Sequence, residues 1–200
     1  MMVARAKKTV PAPARDRILA AAAKLFYRNG IRATGIDLII SEAGVAKMSF
    51  YTHFPAKTDL IRAFLDRRHA YWMDMFTTEV ERRLPDEGLM ALGSALLAWF
   101  SGGDFRGCAF INTFAEFGED FSEPAQHKAE LEDYIRTVAR RLDLTEPENV
   151  ASQAMILVEG AIIRAQMGAT AGLGEALASL FGQMSAAYGV PTQSISTTGE

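Results

Sequence analysis

The chain has one cysteine in 200 residues, Cys108, so it can form neither an internal disulfide nor a cysteine-based zinc site. This speaks against a disulfide-stapled secreted domain and leads us to expect a reducing, cytoplasmic setting. Long apolar runs are also missing. Stretches such as Ala95 to Phe100 and Ala154 to Val158 fall well short of the ~18 residues of a membrane span, and no membrane partner is expected. Arg5, Lys7 and Lys8 are followed by Pro11, Pro13, Arg15 and Asp16 rather than by an apolar segment, so the N-terminus does not read as a signal peptide. There is no G-x-S-x-G elbow, H-E-x-x-H pair, phosphate loop or dinucleotide fingerprint, and the chain is read as a non-enzyme without cofactor or metal. Asp66 with His69, and Glu123 with His127 and Glu130, have helical ligand spacing. A carboxylate-bundle site would need that pattern duplicated, so both clusters read as solvated helix faces.

What is present is a sizeable core and a divided charge. The hydrophobic fraction of 49% supports one large domain or two small ones, and the net charge of -3 alone suggests no polyanionic partner. That average hides a contrast. Residues 1 to 68 hold 13 Lys and Arg against 5 Asp and Glu, and residues 69 to 200 hold 8 against 19. A basic head on an acidic body points to a nucleic-acid-binding module attached to something else.

The apolar spacing is helical throughout. Ile18, Leu19, Ala22, Leu25 and Phe26 share one face of a helix over 15–29, ended by Gly30. Thr34-Gly35-Ile36-Asp37 resembles a capping box opening a short helix to about Glu42. Ala43-Gly44-Val45 makes a tight turn, and a second short helix over 46–52 ends before Pro55. A long helix then runs from Lys57 to about Arg83, where Pro85 stops it. Further helices are expected over 86–100, 108–118, 124–142, 147–168 and 174–188, with Thr145-x-x-Glu148 and Pro147 opening the 147–168 helix. No segment alternates like a strand. The expected fold is all-α: a three-helix helix-turn-helix domain joined by a long helix to a helical C-terminal domain. The divisions are a basic arm at 1–14, the helix-turn-helix domain at 15–58, a second domain at 59–189 and a tail at 190–200.

Two short helices around a glycine turn on a basic segment are the ingredients of a helix-turn-helix whose second helix enters the major groove. Arg17-Ile18-Leu19-Ala20-Ala21-Ala22, Gly30, Thr34, Ile36-Asp37, Ala43-Gly44-Val45 and Phe50-Tyr51-Thr52-His53-Phe54-Pro55-Ala56-Lys57 together resemble the TetR family of transcriptional regulators. The resemblance implies a homodimer, a palindromic double-stranded DNA operator, and a C-terminal domain that answers a small-molecule effector, most often by releasing a repressor. Lys47 and Met48, near the start of the second short helix, are the candidate base readers: Lys donates to guanine and Met packs on a thymine methyl. Thr34, Gly35, Ser49, Tyr51, His53 and Lys57 are the candidate phosphate contacts. Ala56 departs from the family pattern, in which a Ser-like cap precedes the Lys.

In the body, Ala154, Val158, Ala161, Ala165 and Gly168 form a small-residue stripe. With Leu180 and Met184 of the last helix they are the candidate dimer interface. An apolar or aromatic effector is expected among Trp99, Phe110, Asn112, Phe114, Phe117, Met155, Glu159, Ile162 and Gln166. The segment Arg106 to Asn112 resembles one found in a subset of the family, some of whose members sense electrophiles through cysteine, which makes Cys108 a candidate thiol sensor. The alternatives are an architectural or partner-binding DNA-associated protein without ligand response, and a helical enzyme of unrecognised type.

Overall fold

The structure is a computed structural model that describes residues 12–103 and 105–189. Among them are nine α-helices, one 3-10 turn and no strand. The helices are α1 (Ala14–Asn29), α2 (Ile36–Ala43), α3 (Lys47–His53), α4 (Lys57–Glu87), α5 (Met90–Phe100), α6 (Ala109–Phe117), α7 (Glu123–Arg141), α8 (Pro147–Gln166) and α9 (Leu173–Tyr188). The expected arm (1–14, nearly all of it) and tail (190–200) lie outside the described residues. The chain divides into two compact units inside α4, between Arg68 and His69, not at the start of that helix. The reason is local: Leu60, Ile61, Phe64 and Leu65 of α4 are buried in the first unit, and the Phe64 ring meets Phe26 edge-on at 5.5 Å.

The first unit closes around Ile18, Ala22, Ile39, Phe50 and Leu60, all fully buried. Gly30 ends α1 at φ 86 and Gly44 ends α2 in the left-handed region at φ 60, a conformation that costs a residue with a Cβ more than glycine. The Arg17 guanidinium donates to the carbonyls of Ala43 (3.2 Å) and Gly44 (3.0 Å), which fixes the α2–α3 turn against α1. Ala56 precedes α4 without a capping side chain of its own. Asp59 reaches back instead and accepts the Ala56 N–H at 2.9 Å, half of a capping box that partly offsets the missing Ser.

Three sequence expectations need correction. Pro85 lies inside α4, which runs on to Glu87: the proline costs the last turn one backbone donation without ending the helix, which is closed by Gly88 at φ 56, whose N–H returns to Leu84. Thr34 caps nothing, because the N-cap of α2 is Gly35. Thr145 likewise makes no capping box: Glu146 precedes α8 at φ 51, and the Thr145 hydroxyl donates to the Tyr188 carbonyl at 3.0 Å.

The second unit packs α7 on α8, with α5 against α8 and α9, around Leu92, Leu96, Leu131, Ile135, Val158 and Phe181. On its surface the last turns of α4 carry an ion-pair ladder. Glu79 accepts from Arg82 (2.8 and 3.0 Å) and Arg83 (2.7 Å), and Arg83 donates onward to Glu87 at 3.0 Å. The hydrogen bonds from Arg82, then Arg83, hold the Glu79 carboxyl at about 2, below its ordinary 4.5. A carboxylate whose folded pKa is depressed stabilises above its unfolded value and loses that contribution as pH falls. The melting temperature should therefore decline as pH drops from about 4.5 toward about 2, and Glu79→Gln should flatten part of that decline. The pairs lie at the surface, Glu79 and Arg83 half-buried and Arg82 exposed, so the slope is small and should shrink further in high salt; thermal melts at pH 5 and pH 3 check both points.

Candidate nucleic-acid interface

The interface is built on α3. Phe50 and Phe54 bury toward α1, and this turns Lys47 and Met48 outward, Met48 to 78% exposure. The Lys47 ammonium stands 3.5 Å from Asp37, with both groups well exposed, so little energy opposes its transfer to another acceptor. Tyr51 and His53 are exposed, Ser49 is half-buried, and Gly35 is exposed at the start of α2. Lys47, Met48, Gly35, Tyr51 and His53 thus all reach the surface of the one unit.

Thr34 does not. Its side chain is fully buried, and the hydroxyl donates to the Gly30 carbonyl at 2.7 Å. It closes the α1–α2 connection instead of reaching a phosphate. Lys57 is half-buried; its ammonium donates to the Ile31 carbonyl at 2.6 Å and lies 5.9 Å from the Phe26 ring, which ties α4 to the same connection. Sequence reasoning missed Arg17 as the residue that orients the turn. Its position at the head of the quoted α1 motif, next to the buried Ile18, was the available signal. Replacing Thr34 by Val keeps the volume but leaves the Gly30 carbonyl without that donor. A loss of about 1–2 kcal/mol is expected, read as a lower urea midpoint at unchanged m-value.

In the second unit the small-residue stripe turns inward. Ala154, Val158, Ala161, Ala165 and Met184 are buried in the protomer's own core, where α8 needs small side chains to approach its neighbours. Of the residues expected at a dimer interface only Gly168 and Leu180 are exposed. The exposed apolar face of α8 lies further round: Ile156 at 69%, Ile163 at 39% and Met167, just past the last turn, at 79%, with Gly160 between them. Beside it a groove of about 440 Å³ between α8 and α9 is lined by Gln153, Ile156, Leu157, Leu180 and Gln183 among others.

The residues expected around an effector separate into several places. Phe110, Met155 and Ile162 are buried, and Phe110 stacks on His127 at 3.8 Å. Trp99 meets Trp72 at 5.4 Å. Phe117 packs on Phe121, and Glu159 faces Lys128 at 3.4 Å. Asn112 and Gln166 bond to one another at 3.1 Å on the surface. Phe114 is 52% exposed, an outward ring on an amphipathic helix. Cys108 is the buried N-cap of α6. The reading of Glu123, His127 and Glu130 as a solvated face is overturned for His127, which is buried among aromatic rings. Its Nδ1 lies 3.0 Å from Nδ1 of His69, and His69 Nε2 lies 3.0 Å from Glu130.

Among the described residues a helix-turn-helix unit is followed along the chain by a larger helical unit, the architecture of helix-turn-helix DNA-binding proteins. Residues 18–64 match the family of bacterial regulatory proteins, tetR family. Among curated proteins, the HTH-type transcriptional regulator LmrA of Bacillus subtilis is 32% identical over 95 residues, 44% of this chain and 47% of that one. TtgR of Pseudomonas putida, also an HTH-type transcriptional regulator, is 37% identical over 68 residues, 34% of this chain and 32% of that one. An uncharacterized HTH-type regulator of Lactococcus lactis is 27% identical over 120 residues, so the chain spans 60% of its length and about half of LmrA's. Among solved structures, a TetR-family regulator from Streptomyces coelicolor superposes with TM-score 0.76 at 24% identity, over 88% of this chain and 95% of that one. A regulator from Streptomyces avermitilis, titled a putative tetR-transcriptional regulator, does so with TM-score 0.71 at 29% identity, over 88% and 98%. The first unit thus carries the tetR-family match, and the chain as a whole is similar in fold to TetR-family regulators. These relatives are named as transcriptional regulators. Among the described residues no helix is long and apolar enough to cross a membrane.

Proposed function

We propose that the protein is a homodimeric, sequence-specific DNA-binding regulator, a repressor that leaves its palindromic operator when a small molecule binds the second unit. The observation that carries this reading is the presentation of Lys47 and Met48 at the exposed start of α3, on a helix held by Phe50, Phe54 and the Arg17 bonds to the preceding turn. A rigid helix with an outward cation and an outward apolar tip is suited to base edges, while Gly35, Tyr51 and His53 around it offer donors to phosphates. Dimerisation through the exposed stripe Ile156, Gly160, Ile163 and Met167, together with Leu180, would cover apolar surface that a monomer leaves in water. Two α3 helices would then meet successive major-groove turns, with half-sites roughly 34–36 Å apart or a multiple of that. An effector acts by binding one of two conformers more tightly than the other.

The test is titration of the protein onto DNA upstream of its coding region and onto scrambled DNA at two salt concentrations. Tight binding to the upstream DNA with two protomers per site, or a multiple, is the expected result. Lys47→Ala should lower specific affinity by about 1–3 kcal/mol while changing scrambled-DNA binding far less. Equal binding of both DNAs, steeply weakened by salt, would instead favour an architectural, non-specific role.

A further inference from the structure

The second unit contains a polar group that its fold leaves unsatisfied. Trp72 of α4 is 4% exposed, stacked on Phe76 at 4.8 Å and edge-on to His127 at 5.2 Å, and its indole Nε1–H has no hydrogen-bond acceptor among the described residues. A buried donor without an acceptor has given up water for nothing, which native interiors seldom permit without a ligand or a bound solvent. The rings around it are graded in burial. Trp72 and Phe76 are inside, while Trp99, Phe100 and Phe105 are only half-buried. Trp99 touches both groups, meeting Trp72 at 5.4 Å and Phe105 at 5.0 Å. The cluster therefore runs from the surface at the end of α5 to the unsatisfied N–H.

We infer that this cluster is the effector site and that it takes an uncharged aromatic carbonyl compound, its ring against the half-buried aromatic side chains and its carbonyl oxygen accepting from Trp72 Nε1. The inference rests on the reading of the second unit as ligand-responsive and assigns it residues and a chemistry. The aromatic walls favour a planar ring in edge-to-face contact. The polar complement is one neutral donor. The imidazole of His127 already faces His69, His69 faces Glu130 and Lys128 faces Glu159, so a carboxylate drawn in from water would have to compete for cations that already have partners. A ketone, aldehyde or ester needs only the single hydrogen bond that is on offer.

Three probes of similar shape decide it: acetophenone, ethylbenzene, which lacks the oxygen, and benzoate, which adds charge. The chain has two tryptophans, Trp72 and Trp99, hence two indole N–H signals in a nitrogen-15 correlation spectrum. Trp72→Phe assigns them. Should that variant not fold, Trp99→Phe leaves the Trp72 signal alone. Acetophenone should move the Trp72 signal downfield and bind about tenfold tighter than ethylbenzene, the worth of one neutral hydrogen bond, with benzoate weaker still. The preference should vanish in Trp72→Phe. Equal binding of acetophenone and ethylbenzene, tightest binding of benzoate, or a preference that survives Trp72→Phe would each overturn the site. Because these titrations contain no DNA, they are independent of the regulatory reading. Acetophenone binding that leaves operator affinity unchanged would keep the carbonyl site and overturn its role as effector site.

Discussion

A chain carrying Ile156→Arg should sediment as a monomer and lose operator affinity by at least about a hundredfold, because two half-sites bound independently forgo the effective concentration that a dimer supplies. Ile156 is 69% exposed in the protomer, so the substitution removes little of the protomer's own packing. Across an apolar interface the guanidinium would be drawn out of water without a partner, at a cost of several kcal/mol. Circular dichroism should show an unchanged helical content, which separates loss of assembly from loss of fold. The contrast is Ala154→Arg, on the stripe that faces inward: Ala154 is fully buried, and the same charge there should unfold the protomer. If Ile156→Arg still sediments as a dimer, the exposed face of α8 is not the interface and the dimer must be sought elsewhere.

The two substitutions also show where sequence reading reaches its limit. The number and order of the helices were legible, because apolar residues recur at helical spacing and glycines mark their ends, as at Gly30 and Gly44. The head was legible in more detail: the buried Phe50 and Phe54 leave Lys47 and Met48 no other direction than outward. The inward face of α8 was not. That helix has two apolar stripes, the small one of Ala154, Val158, Ala161 and Ala165 and the larger one of Ile156, Ile163 and Met167. Hydrophobicity alone cannot say which of them faces the core. Close approach of helices decides for the small one, and this depends on partners far away in sequence. His127 was misread for the opposite reason. Its spacing to Glu123 and Glu130 drew attention to a polar face, yet Pro124, His127, Leu131, Ile135 and Val138 recur as one buried stripe of α7. That stripe was present in the sequence and outweighs the carboxylates. Thr34 illustrates a subtler failure, since a hydroxyl before a helix can cap it or, as here, turn back to the Gly30 carbonyl, and only the backbone path chooses between the two.

Gly107→Val should destabilise the second unit by about 1–3 kcal/mol, a fall in Tm of about 2–4 °C per kcal/mol for a chain of this length. Gly107 sits at φ +87, where β-branched residues are strained, and a Cβ there would lie 2.1 Å from Gln166 Oε1 and 2.3 Å from Cδ. The Gln166 amide therefore lies across the glycine, held by donation from its Nε2 to the Asn112 side-chain Oδ1 at 3.1 Å, while Asn112 Nδ2 donates to the Arg106 backbone carbonyl at 3.4 Å. This latch joins the end of α8 to the segment that leads into α6 and its buried N-cap, Cys108. The two parts of the cost can be separated. Gln166 is exposed, so Gln166→Ala alone should cost only the surface hydrogen bond, about 0.5–1 kcal/mol. Added to Gly107→Val, it should remove the steric part and leave the backbone strain, so the double variant should be more stable than the sum of the single losses predicts. Strict additivity in chemical denaturation would mean that Gln166 swings aside freely and that the strain at φ +87 carries the whole effect. A Gly107→Val chain as stable as the parent would mean that this segment does not hold α6 to α8 at all.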